Sequence, residues 1–394
     1  MMRICMLSYS FFEYDNRVRR YADTLIAEGH SVDVVCLRMP GQSWFGIDKG
    51  IRVYRIQRRQ KNEKGPLSYL FKLLFFFIMS LIVVTFLHIR KRYHLVHVHN
   101  PPDFLVFSAL ILRLSGAQVI LDIHDILPEL YKGKFNAKEE SLAFRFMLFI
   151  ERISARLAQR VIIANHIWYK RYTSRSADPA KCTVIMNYPD PSIFSPRTRP
   201  PSGNGFTFVY PGTLSPHQGL DIAIRAFSKL SKQAPEPRFN IFGNGGVKEQ
   251  LTNLVASLGL QDMVLFHDLL PLSEIAIEMA KADCGVVPKR AEGFGGEAFS
   301  TKILEFMALG VPVIASATEI DRFYFDDSLV LFFRSEDAED LAEKMQRMME
   351  DSELRNRLVC RSLEFSKAYS WSVRKHEYLS IVSSLVKLQP ALPT

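Results

Sequence analysis

The 394-residue sequence predicts an α/β protein built from two successive doubly wound domains, and three observations lead there. Short apolar strands alternate with segments of helical period along most of the chain. The alternation breaks once, at a stretch rich in Pro and Gly, and then restarts. The length suits two cores better than one. Apolar residues make up 48% and charged residues 23%, without a long Gly/Ser or Gln/Asn tract, a composition that excludes a disordered chain.

In chain order, Arg3-Ile-Cys-Met-Leu-Ser8 is a short apolar strand. Val18, Tyr21, Ala22, Leu25 and Ile26 recur at helical spacing until Gly29, and residues 32–37 form the next apolar strand. This βαβ opening implies a parallel sheet with a right-handed crossover. Residues 94–99 make a third strand, Asn100-Pro-Pro-Asp103 opens the helix after it, and 117–122 make a fourth. A helix over 141–157 and a strand over 160–164 follow. Pro and Gly then concentrate in 187–192 and 195–205, the best linker in the chain. The rhythm restarts with a strand at 206–210, a helix at 220–230 and a strand at 238–242. It continues through strands at 263–266, 284–287, 312–315 and 329–332. The expected division is a first domain over 1–195 with an apolar insert at 66–92, a second over 205–368, and a terminal helix over 369–394. Ligands of open α/β sheets bind outside the carboxyl ends of the strands, so a cleft between the halves is the expected site.

Residues 73–87 (LLFFFIMSLIVVTFL) fit none of these units. As a helix they reach about 22 Å, short of a hydrocarbon core of about 30 Å. A buried core helix, a spanning helix and a helix in the headgroup layer are all open to such a segment. Phenylalanines on all sides, with Lys72 before and Arg90, Lys91 and Arg92 after, favour contact with a membrane surface through residues 67–92. Arg52, Arg55, Arg58, Arg59, Lys61 and Lys64 extend the basic field, against Glu63 as the one acid between Arg52 and Arg92. Such a field attracts phosphate, and the chain as a whole carries a net charge of +9. No recognisable module with interleaved aromatic and basic residues accompanies it, so nucleic acid is not an expected partner. Residues 1–10 show no leader pattern, which leads to a cytoplasmic expectation, peripheral or monotopic at the inner face of the cell membrane. Cys5, Cys36, Cys182, Cys284 and Cys360 are scattered without a CxxC and read as buried apolar residues in a reducing compartment.

The clearest chemistry lies in Glu297-Ala-Phe-Ser-Thr-Lys-Ile-Leu-Glu305, followed by Phe-Met-Ala-Leu-Gly310-Val-Pro-Val-Ile-Ala-Ser316. The two carboxylates are separated by a loop and the start of a helix. Backbone amides of Phe299, Ser300, Thr301 and Lys302 would face outward at that N-terminus, ready for phosphate oxygens, and the Lys302 ammonium adds a full charge. Glu305, one turn in, can accept from both hydroxyls of a ribose diol. On spacing alone, a capped amphipathic helix with solvated acids remains open.

This segment resembles the E-x7-E motif of the retaining glycosyltransferases of the GT-B fold, glycosyltransferase family 4 (group 1) in particular. The resemblance covers nearly the whole chain, weakly over 40–95 and strongly over 205–320, and implies two Rossmann-like domains facing a central cleft. It implies that Glu297 contacts the transferred sugar and Glu305 the ribose. Glu292-Gly-Phe-Gly295 looks like the usual start of the motif but lies 13 residues before Glu305, and reads as a neighbouring loop. Tyr210-Pro-Gly212-Thr-Leu-Ser-Pro-His-Gln-Gly219-Leu-Asp221 is similar to the family's phosphate loop, with Gly212 permitting close backbone approach. Where many members carry Arg and Lys, this chain has Thr213 and Gln218, which leaves Lys302 and Arg17 as replacements in the diphosphate clamp. Phe242-Gly243-Asn244-Gly245-Gly246 resembles the family's glycine turn; it lacks the GxGxxG order and the following acid of a dinucleotide site, which excludes a dehydrogenase. Phe266-His267-Asp-Leu269-Leu270 lies where the family holds the base, mostly through backbone.

In the first half, Asp122-Ile-His124-Asp125-Ile-Leu-Pro-Glu129 follows a strand end. The resemblance puts His124 near the donor sugar, as a catalytic group beside Glu297 and Lys302. It puts Asp125 and Glu129 toward the acceptor, with Asn16 and Arg17 of the first helix. A satisfied histidine and a helix-capping acid is the plain alternative. His97, His99 and Asn100 share a strand end, but alternation is expected to split them between faces, against a zinc site. No DxD occurs, so no metal is expected, and charge on the leaving diphosphate falls to amides, the helix dipole and Lys302. The implied activity is transfer, with retention, of a hexosyl or N-acetylhexosaminyl group from a nucleotide-diphosphate sugar, UDP favoured, to a lipid-linked or other glycan acceptor in cell-surface polysaccharide assembly. No further cofactor is implied. An epimerase or hydrolase of the same fold, and a non-catalytic sugar-nucleotide-binding partner, stand as alternatives.

Overall fold

The structure, a computed structural model, describes residues 1–59, 66–135, 138–197, 205–230 and 237–386. It divides into two units, Met1–Asn187 with the residues from Lys375 on, and Tyr188–Arg374. Part of the Pro-rich linker, 198–204, lies outside the described residues. Each unit is α/β around a mostly parallel sheet, the fold class that the alternation implied.

In the first unit β1 (Arg3–Ser8), α1 (Asn16–Ala27) and β2 (Ser31–Arg38) form the βαβ opening. Asp15 caps α1 by accepting from the Val18 amide, and the helical repeat buries Val18, Tyr21, Ala22 and Leu25 on one face. β3 (Phe45–Asp48) and β4 (Ile51–Arg58) then make an antiparallel hairpin. The sequence reading did not include it, because β4 reads Ile-Arg-Val-Tyr-Arg-Ile-Gln-Arg, with polar or charged residues interleaved rather than an apolar run. That alternation suits a strand near a sheet edge with one wet face. There follow α2 (Pro66–Lys91), β5 (Leu95–His99), a 3-10 turn (Asp103–Ala109) running into α3 (Leu110–Leu114), and β6 (Gln118–Ile123). Then come α4 (Leu127–Phe135), α5 (Leu142–Leu157), β7 (Arg160–Ile163), α6 (His166–Arg175) and β8 (Cys182–Val184). The sheet order is β3-β4-β2-β1-β5-β6-β7-β8. Its direction of growth reverses at β1, so the segments leaving β1 and β5 flank the switch point where such sheets bind ligands.

The apolar insert is longer than its uncharged run suggested. α2 has 26 residues, about 39 Å of helix, so the estimate of about 22 Å is corrected upward. By length and composition alone, Ser68–Lys91, with mean hydropathy 2.6, could cross a membrane. It is nonetheless tied to its own unit along its length. Leu73, Phe76, Ser80, Val84 and Leu87 form one buried stripe at helical spacing. Gln57 Nε2 donates to the Lys72 carbonyl (3.2 Å) and the Ser108 hydroxyl to the Phe77 carbonyl (3.3 Å). At the far end Lys91 pairs with the wholly buried Asp33, which also accepts from Arg52 and the Tyr93 hydroxyl. The opposite face, including Leu70, Phe71, Phe75, Ile78, Ile82 and Ile89, is exposed.

In the second unit the chain runs β9 (Thr207–Pro211), a 3-10 turn (Pro216–Gln218), α7 (Leu220–Leu230), β10 (Arg238–Phe242), α8 (Lys248–Ser257) and β11 (Val264–His267). It continues through α9 (Leu272–Lys281), β12 (Cys284–Val287), α10 (Phe294–Glu297), α11 (Thr301–Leu309), β13 (Val313–Ser316) and α12 (Glu319–Tyr324). β14 (Leu331–Phe333), α13 (Ala338–Glu350), α14 (Ser352–Ala368) and α15 (Trp371–Val386) complete it, the last helix passing to the first unit from Lys375. All strands are parallel, in the order β11-β10-β9-β12-β13-β14. Apolar side chains of β9, β10, α7 and α13 fill one core, with Phe208, Phe227 and Phe239 at its centre. The switch point falls between β9 and β12. α11 is seated there because Gly285 of β12 leaves space for the Phe306 ring, which a β-carbon would meet at 2.6 Å. Of the cysteines, Cys5, Cys36, Cys182 and Cys284 are buried as expected, whereas Cys360 on α14 is exposed.

Candidate functional site

In the second unit three loops leave the carboxyl ends of β9, β10 and β11 and are stitched together by backbone. The Gly212 amide donates to the Phe242 carbonyl (2.8 Å), Leu214 to Asn244 (3.0 Å) and Gly243 to His267 (3.1 Å). Gly243, at φ +149°, passes so close that a β-carbon on it would lie 1.8 Å from the Gly212 oxygen. These glycines therefore permit a backbone crossing that no side chain allows.

Lys302, the second residue of α11, reaches into this loop. Its Nζ donates to Gln218 Oε1 (3.3 Å) and stands 5.3 Å from the Tyr210 ring. The Tyr210 hydroxyl, 3.0 Å from both Gln218 Oε1 and the Thr213 carbonyl, braces the same turn. Burial pulls the ammonium down to about 8; Glu305 opposes this and the charge of Lys289 adds to it. Burial and the two lysines also lower His217.

Of the other donor-side residues, Thr213, Asn244 and Leu269 are exposed, and Asn244 Oδ1 accepts from the Gly245 amide. His267 stacks on Phe242 at 4.4 Å, held by Asn240 Oδ1 at 3.0 Å. Phe299 packs edge-on against Tyr324 at 4.9 Å. Ser300 is buried at the N-cap of α11 without a side-chain capping bond, and Thr301 opens the helix. Glu297 closes α10, and Glu305 lies one turn into α11, both half-buried.

Sequence reasoning missed what holds the Glu297 loop. The buried Lys289 ammonium donates to the Ala298 carbonyl (2.7 Å) and pairs with the buried Asp321 (2.9 Å). Arg290 grips Asp221 through Nη2 (2.7 Å) and the Pro216 carbonyl through Nε (3.2 Å), joining the loop after β12 to the loop after β9. Two adjacent cations just beyond an apolar strand were the available signal.

In the first unit His97 and His99 lie on the same face of β5, ring centroids 4.1 Å apart. This corrects the expectation that alternation splits them: residues two apart in a strand share a face. With Asp122 they form a buried cluster close enough to hold a cation. Arg17, however, already spans both oxygens of Asp122 at 2.8 Å, so the anionic charge a cation would need is neutralised. Burial works to raise Asp122, but Arg17 and His124 outweigh it and hold the carboxyl well below the usual range. Burial lowers both His97 and His99. His124 Nε2 faces Asp122 Oδ2 at 3.1 Å, and the His124 and Asp125 amides both point at Asn100 Oδ1 (2.6 and 3.3 Å).

Two expected acceptor-side residues are engaged internally. Arg17 is buried on Asp122, and Glu129 is held bidentately by Arg175 (2.5 and 2.8 Å), which also binds the buried Glu151. Their charges are paired inside the unit, at the residues the sequence reading set toward the acceptor and, for Arg17, in the diphosphate clamp. Asn16 is exposed, and Asp125 is half-buried and raised by burial.

The fold is that of known GT-B proteins. Sucrose-phosphate synthase from Thermosynechococcus elongatus superposes with a TM-score of 0.80 at 20% identity, over 98% of this chain and 100% of that one. An Anabaena protein, HepE, solved in complex with UDP-glucose, gives 0.70 at 18% identity over 98% and 100%. At such identity the likeness is one of fold. Residues 195–363 match the family model "Glycosyl transferases group 1", and residues 14–188 match "Glycosyl transferase 4-like domain". Between them the two span most of the sequence, and the chain belongs to the group 1 glycosyltransferases, family 4. Among curated relatives, an exopolysaccharide phosphotransferase of Streptomyces coelicolor is 34% identical over 202 residues, 50% of this chain but 20% of that protein. A D-inositol 3-phosphate glycosyltransferase of Stackebrandtia nassauensis is 27% identical over 234 residues, 55% of this chain and 52% of its own length. The chain thus matches about half or less of these relatives.

Proposed function

We propose that the chain transfers a sugar from a nucleotide-diphosphate sugar, a UDP-sugar by preference, to the hydroxyl of a lipid-linked glycan, with retention at the anomeric carbon. The observation that carries this reading is the Lys302 ammonium set against the Gly212 loop at the N-terminus of α11. A cation, a helix N-terminus and a glycine loop in one place suit a diphosphate leaving group. Glu305 would accept from the ribose and Glu297 from the transferred sugar. Phe299, Ser300 and Thr301 would offer amides, while Gly243, Asn244, His267 and Leu269 would line the nucleotide. In the first unit His124 would meet the sugar, with Asn16 and Asp125 toward the acceptor. The acceptor hydroxyl attacks from the face the diphosphate leaves, and no covalent intermediate is invoked. The UDP-glucose bound by HepE and the D-inositol 3-phosphate relative's name support the donor and reaction classes.

The exposed face of α2 supports a membrane location at the cytoplasmic leaflet. The 3-10 turn Asp103–Ala109 packs against both α2 and α5, and Leu110 and Leu114 of α3 and Phe146 and Phe149 of α5 are exposed as well. Apolar side chains with Arg90 and Arg92 at the helix end suit a headgroup layer.

Donor release by the purified protein, with UDP-, GDP- and dTDP-sugars and native membrane lipid extract, tests the reading. Lipid-dependent release of one nucleotide is expected. Release without any acceptor would point to a hydrolase, and binding without release to a non-catalytic partner.

A further inference from the structure

Lys289 stands just beyond β12, and both its backbone and its side chain are anchored on β13 and α12. The Ser316 hydroxyl donates to the Lys289 carbonyl, and the Lys289 ammonium reaches Asp321 Oδ2 at 2.9 Å. Asp321 is itself fixed at the start of α12, where the Thr318 hydroxyl donates to the same oxygen at 2.8 Å. A second bond from the ammonium runs to the Ala298 carbonyl, 9 residues ahead in the chain, at 2.7 Å. An ammonium only donates, so the direction of both contacts is settled. Lys289 is 2% exposed and Asp321 wholly buried. Between Lys289 and Ala298 the backbone doubles back tightly: a β-carbon on Gly296 would lie 1.9 Å from the Ala291 oxygen. Just past Ala298, the Phe299 ring packs on Tyr324 and Phe325 at the end of α12, at 4.9 and 5.9 Å. Glu297 therefore leads into a backbone that α12 holds by one polar and one aromatic contact.

We propose that Lys289 is a positioning residue: by holding the Ala298 carbonyl it sets the Glu297 carboxylate against the transferred sugar. The role of Glu297 rests on the transferase reading, whereas the tether does not. The Lys289–Asp321 pair carries no net charge, and Lys302 feels its members with opposite sign, Lys289 lowering it and Asp321 raising it. What Lys289 supplies beyond its ion pair is thus one hydrogen bond at the entry to the Glu297 loop. The loops after β9, β10 and β11 are joined by backbone bonds of their own, so the nucleotide side does not hang from this tether. Loss of the tether should then separate turnover from nucleotide binding, since a misplacement of about 1 Å can cost about 100-fold in rate.

Three variants of the full chain separate positioning from stability. Lys289→Met leaves Asp321 buried without its cation and should lower both the melting temperature and kcat for donor release. Lys289→Met combined with Asp321→Asn removes both charges and should return the melting temperature to within about 3 °C of wild type. Its kcat should stay roughly 30- to 100-fold low, because the Ala298 carbonyl is still unheld. Calorimetric titration should give it a UDP affinity within about threefold of wild type. Asp321→Asn alone keeps the lysine on that carbonyl and should turn over at least about tenfold faster than the double variant. Recovery of kcat together with the melting temperature in the double variant overturns the proposal, as does a loss of UDP affinity in step with kcat. Wild type that binds UDP-glucose but releases no nucleotide removes the transferase reading instead. The tether is then read from the affinity ratio of UDP-glucose to UDP, which should fall about tenfold in the double variant. An unchanged ratio overturns the proposal.

Discussion

The Lys302 ammonium occupies the space that a side chain on Gly212 would need: a β-carbon built there would meet Lys302 Cε at 2.6 Å and Nζ at 3.2 Å. Thr213 and Gln218 bring no charge to the phosphate loop, and the cation arrives from α11 instead. The local departure from the family pattern is offset by a residue 84 positions away from Gln218.

Because Lys302 loses its proton near 8 in the ligand-free protein, diphosphate affinity should fall as pH rises through that value. Lys302→Arg stays charged and should flatten the profile, and Lys302→Met should weaken UDP binding by about 10- to 100-fold at neutral pH. The unfolded chain holds this proton up to the ordinary lysine range, so the group adds stability as pH rises from about 8 toward that range. Calorimetric titration with UDP across the window checks the first point; equal affinity in the Met variant removes Lys302 from the clamp.

Gly243→Ala forces a methyl against the Gly212 carbonyl, 1.8 Å away, at φ +149°. The expected cost is roughly 2–4 kcal/mol of stability together with loss of nucleotide binding, since the loops after β9 and β10 must part. Urea unfolding and UDP titration read both, and wild-type behaviour in each would show that the crossing is looser than its geometry.

Asp103 is pushed up to about 7 by burial, with Glu151 adding, while Asn100 Nδ2 at 2.7 Å opposes. The folded chain keeps a proton there that the unfolded carboxyl gives up near its ordinary value of about 4. Its contribution is thus fully present below about 4 and lost as pH rises through about 7. Asp103→Asn should stabilise by roughly 1–3 kcal/mol in mildly alkaline buffer and little in acid. Denaturation midpoints on either side of neutrality decide; a gain confined to acid would reverse the assignment.

Phe71→Ser, Phe75→Ser and Ile78→Ser together remove exposed apolar surface from α2 without touching its buried stripe. Flotation with vesicles rich in anionic lipid should be lost while the melting temperature holds. Wild-type flotation should weaken with salt as the basic end of the helix is screened. Undiminished flotation in the triple variant would place membrane contact elsewhere.

The parallel sheets were legible because their strands are short apolar runs separated by amphipathic helices. β3 and β4 were not, since residues such as Arg52 and Arg55 break the apolar run. The uncharged run 73–87 understates the reach of α2, because the helix also takes in Lys72, Arg90 and Lys91. At the candidate site, Glu297, Lys302 and Glu305 stood out by motif. The Arg17–Asp122 pair did not, because ion pairing across 105 residues leaves no periodic trace. Lys289 and Asp321 escaped notice for the same reason.

Tyr378 belongs to the first unit in space but follows the whole of the second in sequence. On the ribosome, the ring that stacks on Tyr21 and shares a hydrogen bond with His97 therefore emerges only after both sheets have been translated. Until then the histidine cluster lacks its cover, and the first unit waits, incomplete, for the end of its own synthesis. Assembly order at this site is thus dictated by chain connectivity, and a nascent chain stalled before Tyr378 would carry every strand of the first sheet yet lack the Tyr378 ring on Tyr21.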